Sequence, residues 1–521
     1  MSADRSSRLR EIEQAGQWDV VVIGGGASGL GTAVEAASRG YRTLLVERDD
    51  FAKGTSSRST KLVHGGVRYL EQLNVTLVLD ALRERGYMLH NAPHLVHKLG
   101  FVVPLYSYAG LPYYGFGLKM YEWLSGKLSF GRSEMLSRAE TLERLPTVVP
   151  NGLKGGILYQ DGQFDDARYA IALMRTLEDL GGVAINYMQV TELRQRNGKV
   201  EGVRLHDCET GQEFDVAARV VVNATGAFTE KILRMDNPRG DHVLAISQGT
   251  HFVLPPEYLP SANALMVPKT ADGRVLFAIP WHKHLVVGTT DVPVPASSAE
   301  PRATRPETEF LVEHIHRYLG RTIKSGDVLS MWSGLRPLVR NGSSSTSKLS
   351  RDHRVIVSKT GLVTVTGGKW TTYRRMGEDT INHAAKVAGL ADAPSKTVSL
   401  KLHGWTSSPM SEEESEQVYG TDISQIRFLG EEDPRLNERL HPQLPYRKRE
   451  VIWAVRHEQA RTVEDVLARR TRALFLNARA AMEAAPEVSQ IVARELGRDD
   501  ASRERDLARF LQIARGYVYQ G

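Results

Sequence analysis

The sequence predicts an α/β fold that combines a parallel sheet, an antiparallel sheet and a helical C-terminal region. Three observations support this. Near the N-terminus a buried strand, a glycine-rich turn, a helix and a second strand follow one another. Short strands separated by turn residues fill the middle of the chain, and helical periodicity dominates its last part. With 521 residues, the chain is long enough for two or three domains.

The first strand–helix–strand unit is the clearest local pattern. Residues 20–23 are continuously apolar and precede three glycines, which is typical of a strand buried on both faces of a parallel sheet. Residues 30–39 are rich in alanine and stop before Gly40, which predicts a helix. Residues 42–46 predict the second parallel strand. Together they form a βαβ unit of about 30 residues.

The turn at residues 24–29 reads GGGASG and fits the G-x-G-x-x-G pattern of dinucleotide-binding loops. Gly24 permits the tight turn, Gly26 lets the backbone approach a pyrophosphate, and Gly29 lets the next helix pack closely. The helix N-terminus offers free N–H groups to the phosphates. Glu47 ends the second strand, where it can accept hydrogen bonds from a ribose diol and disfavours a 2′-phosphate. FAD and NAD both stay open at this point.

Two further segments favour FAD. Residues 219–226 (RVVVNATG) resemble the strand and glycine turn near the end of the FAD domain in two-dinucleotide-domain flavoproteins. Residues 55–66 (TSSRSTKLVHGG) follow the second strand and are rich in hydroxyls and glycine, which allow close contact with a flavin and its phosphates. NAD enzymes rarely need such a loop at this place.

The remaining elements complete the architecture. Residues 275–281, 285–292 and 328–332 are short and β-rich, and predict an antiparallel sheet on the substrate side. A buried strand at 362–365 precedes a helical pattern over 371–387, and helical periodicity returns over 451–485. The predicted domains are an FAD domain at about 18–90, 150–240 and 340–395, a substrate domain at about 91–149 and 241–339, and a helical domain at 396–521.

Composition narrows the class of protein. Hydrophobic residues make up 41% and charged residues 25% of the chain, which is the balance of a folded protein. The single cysteine, Cys208, excludes internal disulfides and multi-cysteine metal sites, and its polar surroundings predict a hairpin turn. No metal site is predicted. A net charge of +6 permits attraction to anions, but dense Lys/Arg blocks typical of nucleic-acid binding are absent.

Taken together, the motifs resemble the FAD-dependent glycerol-3-phosphate dehydrogenases, within the larger group that includes D-amino-acid and glycine oxidases. The similar runs are residues 23–29, TSSRSTKLVHGGVRYLE at 55–71, FDDARY at 164–169, VNATG at 222–226, GTTDV at 288–292, SGLRPL at 333–338 and TGGKWTTYR at 366–374. HGGVRYLE and GGKWTTYR together are specific to this branch. The resemblance implies a Rossmann-like FAD domain of the D-amino-acid-oxidase type, an antiparallel-sheet substrate domain and an all-α C-terminal domain.

The sequence departs from the family pattern in two places. Residues 248–251 read QGTH where the family often has KGSH, so one positive charge is missing near the expected site. No EF-hand calcium loop of the kind found in mitochondrial members is present near the C-terminus.

The resemblance implies oxidation of sn-glycerol 3-phosphate to dihydroxyacetone phosphate, with hydride transfer to FAD and electrons passed to a membrane quinone. The expected catalytic residues are His251, as base, with Arg336 and Lys369. The expected substrate-binding residues are Arg68, Tyr69, Arg336, Arg351 and Thr371. The expected cofactor-binding residues are Gly24, Gly26, Ser28, Gly29, Glu47, Thr55, Ser56, Ser57, Lys61, His64, Gly65, Gly66, Ala224, Thr225, Gly226, Gly368, Lys369 and Thr371. His64 is a rival for the role of base.

Several alternatives stay open from the sequence. They are an oxygen-reducing glycerol-3-phosphate oxidase, a related flavin amine oxidase and a non-catalytic flavin-binding protein. The single cysteine suits a reducing compartment, so we expect a cytoplasmic protein, with a homodimer as one oligomeric state. No apolar window is long enough to span a bilayer, so we expect peripheral attachment to an anionic membrane at its inner face. Candidate contacts are the aromatic segment 111–130 and the basic residues Arg469, Arg470 and Arg472.

Overall fold

The computed structural model describes residues 4–66, 75–107, 130–240, 242–268, 270, 274–340 and 352–521. Their strands are β1 (Gln17–Ile23), β2 (Thr43–Val46), β3 (Leu62–Val63), β4 (Val96–Leu105), β5 (Glu134–Ser137), β6 (Gly155–Phe164), β7 (Val183–Ile185), β8 (Met188–Arg196), β9 (Lys199–Asp207), β10 (Glu213–Asn223), β11 (Leu244–Leu254), β12 (Ala264–Val267), β13 (Leu276–Trp281), β14 (His284–Gly288), β15 (Val292–Val294), β16 (Ser330–Val339), β17 (His353–Val357) and β18 (Val363–Gly367).

The helices of the same residues occur mostly between the strands and at the C-terminus. They are α1 (Arg5–Gln14), α2 (Ala27–Ser38), α3 (Val75–Asn91), α4 (Arg138–Arg144), α5 (Asp166–Asp179), α6 (Thr229–Asp236), α7 (Arg305–Leu319), α8 (Tyr373–Ala388), α9 (Glu414–Gln417), α10 (Ile423–Glu432), α11 (Lys448–His457), a π-helical turn at Asp465–Arg470, α12 (Ala473–Leu476), α13 (Ala478–Leu496) and α14 (Asp500–Ala514).

The first sheet has a parallel centre in the order β18-β10-β1-β2-β7. Strand β17 adds antiparallel to β18, and the hairpin β8–β9 joins β10. Alternate residues of β1 face two different cores. Val20 and Val22 pack with helices α2, α5 and α8, while Val21 and Ile23 pack with α1 and the β8–β10 meander. The strand is therefore buried on both faces, as its apolar sequence predicts.

The second sheet runs in the order β15-β11-β14-β13-β12-β4-β6-β3, with β16 paired to β11 and β5 to β6. Its pairs are antiparallel except for β12 with β4. The three β-rich segments predicted for the substrate side contribute β13, β14 and the start of β16. Strand β6 also belongs to this sheet, although the sequence places its residues with the FAD domain. The predicted fold class is confirmed.

The C-terminal region is helical, but the periodic stretch 451–485 is not one helix. It breaks after α11 at Gln459 and again at Arg472, both of which have positive φ angles of 56° and 65°. The π-helical turn and the short helix α12 lie between α11 and α13. At these breaks the arginine side chains turn inward, toward Asp50 after β2 and Asp166 in α5.

These arginines correct one sequence-based expectation. Arg469, Arg470 and Arg472 are each at most 2% exposed. Arg469 and Arg470 both pair with the buried carboxylate of Asp50, which follows β2, and Arg472 donates to Asp166 at 3.0 Å. Buried and paired arginines cannot meet a lipid surface, so they are not a membrane contact. They instead tie the helical region to the first sheet.

No helix in the described ranges has both the length and the apolar character needed to cross a bilayer.

Candidate active site

A large cavity lies where the carboxyl ends of the parallel strands meet the second sheet. It holds about 2160 Å³ of empty space, part of it continuous with solvent. Ile23 and Val46 close one wall from β1 and β2, and His251 and Arg336 line the other from β11 and β16. The carboxyl edge of a parallel sheet is the usual place for a dinucleotide in such folds.

The glycine loop forms the floor of this cavity. Gly24 has a φ of 112°, and a Cβ atom there would lie 2.7 Å from the carbonyl oxygen of Ala224. A Cβ atom on Gly29 would lie 1.8 Å from the carbonyl oxygen of Gly24. Neither position accepts a side chain, because backbone fills the space. The loop therefore presents bare backbone and the N-terminus of α2 to the cavity, as a pyrophosphate requires.

Glu47 stands at the end of β2 beside the loop. Its Oε2 accepts from the Gly25 N–H at 2.6 Å, and its Oε1 accepts from the Asp49 N–H at 2.8 Å. Burial raises the pKa of Glu47 above its ordinary value, and these two bonds oppose that rise. The carboxyl group is thus fixed at the cavity wall, where a ribose hydroxyl can reach it.

The hydroxyl-rich loop after β2 links the segments around the cavity. The Ser56 hydroxyl accepts from the Ala27 N–H at 2.9 Å, and the Ser56 carbonyl accepts from Trp370 Nε1 at 2.9 Å. Thr55 donates its hydroxyl to the carbonyl of Leu335 at 2.6 Å. One loop therefore connects the start of α2, the turn before α8 and strand β16.

The turn after β18 closes another part of the wall. Gly368, Lys369 and Thr371 line the cavity here, and Gly368 has a φ of 78°. The Thr371 hydroxyl accepts from the His64 N–H at 3.2 Å, which joins this turn to the hydroxyl-rich loop. A helical turn at Trp370–Thr372 and then α8 begin here, and the free N–H groups of a helix start favour negative charge nearby.

His251 projects from β11 and is 2% exposed. Its Nε2 lies 3.0 Å from Thr60 Oγ1, and its ring stacks on Trp332 with centroids 5.1 Å apart. A Cβ atom on Gly288 would lie 2.2 Å from His251 Cδ2, so this neighbour must be glycine. Burial, and then the charges of Arg336 and Lys61, hold the pKa of His251 well below its ordinary value. The imidazole is therefore neutral at pH 7, with one ring nitrogen that carries no proton.

Arg336 reaches the cavity from β16, and its side chain is 26% exposed. Its Nη1 donates to the Thr290 carbonyl at 3.2 Å, and its Nη2 donates to Thr289 Oγ1 at 3.1 Å. Asp291 lies 3.5 Å from the guanidinium. A Cβ atom on Gly249 would lie 2.2 Å from Nη2, so glycine provides the space for this side chain. The arginine is held in place while part of it faces the cavity.

Comparison with known proteins decides the family. A model of FAD-dependent oxidoreductases matches residues 19–374, and a model of the C-terminal domain of alpha-glycerophosphate oxidase matches residues 360–503. The mitochondrial glycerol-3-phosphate dehydrogenase of Homo sapiens is 40% identical over 552 residues, which cover 99% of this chain and 75% of that protein. The chain belongs to the FAD-dependent glycerol-3-phosphate dehydrogenase family. The corresponding Schizosaccharomyces pombe protein is 35% identical, and the match covers 99% of this chain and 89% of that protein.

Solved structures agree with the assignment to this family. The glycerol-3-phosphate dehydrogenase from Bacillus halodurans complexed with FAD superposes with a TM-score of 0.81, at 28% identity, over 99% of this chain and 97% of that one. The FAD-bound L-alpha-glycerophosphate oxidase from Mycoplasma pneumoniae gives a TM-score of 0.57 at 16% identity, over 73% of this chain and 96% of that one. The second match shows the fold alone. FAD is the cofactor of the family, and the glycine-lined cavity fits it.

Most residues expected from the sequence do line this cavity. They are Gly24, Gly26, Ser28, Glu47, Thr55, Ser56, His64, Ala224, Thr225, Gly226, His251, Arg336, Gly368, Lys369 and Thr371. Gly29, Gly65 and Gly66 are near it in sequence but do not line it. Arg68, Tyr69 and Arg351 lie outside the described residues.

Ser57 and Lys61 require a correction. Both are buried and neither lines the cavity. Lys61 Nζ donates to Asp166 at 2.7 Å and to the Ser57 carbonyl at 2.8 Å, and three aromatic rings surround it within 5.3 Å. The lysine is thus directed away from the cofactor side of its loop. Its described contacts are those of a structural residue.

Position 248, where the family pattern has a lysine, lies away from the cavity. Gln248 is 5% exposed and does not line the cavity. Its Nε2 donates to the Glu307 carboxylate and to the Arg302 carbonyl, each at 2.8 Å. Gln248, the residue that departs from the family pattern, therefore contacts a buried carboxylate behind the site. No charge is lost from the cavity surface.

The sequence did not identify the residues that hold His251 and Arg336 in place. Thr60 contacts His251, Trp332 stacks on it, and Thr289 holds Arg336. Thr60 and Thr289 both occur inside quoted motifs, in TSSRSTK and GTTDV, so the motifs gave a signal but no role. For Trp332 the sequence carries only an aromatic residue before SGLRPL.

Proposed function

We propose that this protein oxidises sn-glycerol 3-phosphate to dihydroxyacetone phosphate and passes the electrons to a membrane quinone. The observation that carries the proposal is that Arg336 and the neutral His251 line the same cavity as the dinucleotide loop. This arrangement offers a cation for a phosphate and a base for an alcohol beside the expected flavin. The names of the relatives support the same substrate.

The residues divide the work by their chemistry. His251 accepts the proton of the C2 hydroxyl, because its imidazole is uncharged. Arg336 binds the substrate phosphate, since a planar guanidinium pairs well with phosphate oxygens. Bound FAD supplies the acceptor for the hydride that leaves C2. Thus the substrate loses one hydride and one proton, and the carbinol becomes a ketone.

Further residues are proposed on the same basis. Lys369 and Thr371, at the start of the helical turn before α8, stabilise the negative charge of the reduced cofactor. Arg68, Tyr69 and Arg351 remain candidates for the substrate phosphate and hydroxyls. The glycine loop and Glu47 bind the pyrophosphate and ribose, and Thr55 and Ser56 contact the flavin half.

The electron acceptor has a specific rival. The C-terminal family model is named after an oxidase, and an oxidase shares the fold. An oxidase would return the electrons to oxygen and release hydrogen peroxide. The relatives matched over nearly the whole chain are named dehydrogenases, which favours an acceptor other than oxygen.

Anaerobic titration of the purified FAD-loaded protein tests the proposal. Glycerol 3-phosphate should bleach the flavin absorbance stoichiometrically, and a water-soluble quinone should then restore it. Bleaching followed by rapid recovery in air with peroxide release would support the oxidase. A flavin that stays oxidised with this substrate would leave only a flavin-binding protein or an enzyme for another substrate, such as an amine.

We also propose peripheral attachment to the inner face of the cell membrane, where quinone is available. The candidate segment 111–130 lies outside the described residues except for Phe130. Sedimentation with vesicles of anionic or neutral phospholipid tests this attachment. Stronger binding to the anionic vesicles, reduced by salt, is the expected result. Equal absence of binding to both would contradict it.

A further inference from the structure

Glu307 is a buried carboxylate in the first turn of α7, and it is 1% exposed. Its Oε1 accepts from the hydroxyls of Thr250 at 2.8 Å and Thr290 at 2.7 Å. Its Oε2 accepts from Gln248 Nε2 at 2.8 Å and from the Thr304 N–H and hydroxyl at 3.0 and 2.9 Å. In the described part of the chain, no lysine, arginine or histidine pairs with it.

The two carboxylate oxygens serve different purposes. Oε2 completes the capping box with Thr304, which is an ordinary arrangement at a helix start. Oε1 accepts only from the hydroxyls of Thr250, in β11, and Thr290, in the turn between β14 and β15. Burial opposes the charged form, but these hydroxyl and amide donors hold the pKa of Glu307 below its ordinary value. An ionised carboxylate is therefore kept behind the site without a cationic partner, which capping alone does not require.

Thr290 connects this carboxylate to the active site. Its hydroxyl donates to Glu307 and accepts from the Thr250 N–H at 2.9 Å. Its carbonyl accepts from Arg336 Nη1 at 3.2 Å, and the preceding hydroxyl of Thr289 accepts from Nη2 at 3.1 Å. The turn that orients the guanidinium is thus anchored from behind by one side chain.

We propose that Glu307 is a positioning residue that acts through Thr290 to fix the guanidinium of Arg336 for the substrate phosphate. This rests on the proposed function, in which Arg336 binds that phosphate. The carboxylate does not line the cavity, so it does not touch the substrate itself. Its effect should therefore fall on binding more than on the chemical step.

Two matched variants separate positioning from capping. Thr290→Val and Thr304→Val each remove one hydroxyl that donates to Glu307. Thr290 belongs to the turn that contacts Arg336, whereas Thr304 belongs to the helix cap. We expect Thr290→Val to raise the KM for glycerol 3-phosphate about tenfold, with kcat within about threefold of the parent. Thr304→Val should leave KM unchanged and lower only the thermal stability. Equal KM values in the two variants would overturn the proposal.

A double-mutant cycle tests the route through Arg336. Glu307→Gln and Arg336→Lys are made singly and together in the FAD-loaded protein, and the Kd of inorganic phosphate is measured by calorimetry alongside kinetics. If Glu307 acts through Arg336, the double variant should have nearly the same Kd and KM as the more impaired single variant. Independent effects that multiply, or a loss of kcat at unchanged KM, would contradict it. Should the unmodified protein fail to oxidise glycerol 3-phosphate at all, the proposed function fails before the variants are compared.

Discussion

Thr60 Oγ1 lies 3.0 Å from Nε2 of His251, and this contact joins the hydroxyl-rich loop to the second sheet. On another side, the His251 ring stacks on Trp332 with an interplanar angle of 14°. Within the described residues His251 Nδ1 is buried and has no hydrogen-bond partner. One hydrogen bond and one aromatic contact therefore determine how the imidazole is oriented.

Removing the Thr60 hydroxyl should slow the reaction without releasing the cofactor. Thr60→Val keeps the shape of the side chain but leaves His251 Nε2 without its hydrogen-bond partner, so the imidazole can rotate. We expect the rate constant for anaerobic flavin reduction to fall about tenfold, measured by stopped-flow absorbance. Thr60→Ser retains the hydroxyl and serves as the control, with a rate near that of the parent. A Val variant as fast as the Ser variant would show that the hydroxyl does not orient the base.

Local patterns made the FAD-binding half predictable. The strand at 20–23, the glycine loop and the helix that starts at Ala27 depend on neighbouring residues, so the sequence carries their signal directly. The same holds for the hairpin turn at Cys208, which the structure places between β9 and β10 with the cysteine exposed. Burial on both faces of β1 follows from four consecutive apolar residues.

Contacts between distant residues were not predictable in this way. Thr60 and His251 are 191 positions apart, and Asp50 and Arg470 are 420 apart. Lys61 lies between Thr60 and Leu62, which line the cavity, yet its own side chain points to Asp166. The direction of a side chain within a loop depends on its tertiary partners. The sequence shows neither the direction nor the partners. For the same reason, the sequence alone suggests a surface position for Arg470.

The closeness of Gly29 to the glycine loop predicts that alanine is not tolerated there. Its Cβ atom would lie 1.8 Å from the Gly24 carbonyl oxygen, so the loop and α2 must separate. Gly29→Ala should purify with at most a small fraction of its FAD, as read from the absorbance ratio of flavin to protein. Gly326→Ala is the matched control, because a Cβ atom there meets nothing within 4 Å and Gly326 does not line the cavity. Full FAD content in Gly29→Ala would contradict the assigned role of the loop.

Asp50 should be one of the most sensitive positions for stability. Its carboxylate is fully buried and accepts from Arg470 Nη1 at 2.6 Å, from Arg469 Nε and from Asn186 Nδ2 at 3.1 Å. Asp50→Asn would leave two buried guanidinium groups without this anion, at a cost of about 3–5 kcal/mol. We expect a large drop in the thermal unfolding temperature and loss of FAD.

The control for that change is Asp215→Asn. Asp215 pairs with Arg204 at 3.1 Å, but its side chain is 46% exposed. Exposed pairs contribute about 0–1 kcal/mol, so the unfolding temperature should hardly move. Similar effects from the two substitutions, compared by differential scanning fluorimetry, would contradict a special role for the buried network.

His282 lies between two carboxylates that come from different parts of the chain. Its Nε2 is 3.2 Å from Asp165, at the start of α5, and its Nδ1 is 3.3 Å from Glu414 in the helical region. Burial disfavours the charged ring, but these two hydrogen-bonded partners overcome it and raise the pKa of His282 to about 9. The charged histidine therefore links the second sheet and the start of α5 to the C-terminal helices at neutral pH.

This raised pKa predicts that the protein loses stability in mild alkali. The pKa of about 9 in the folded state exceeds the unfolded value of about 6.5, so the stabilisation is complete below pH 6.5 and disappears as the pH rises through 9. The unfolding temperature should fall by about 3 °C or more between pH 7 and 9.5. In His282→Gln the unfolding temperature should be lower at pH 7 and its decrease smaller, whereas the exposed His383→Gln should reproduce the parent curve. A His282→Gln curve parallel to that of the parent would exclude this histidine as the titrating group.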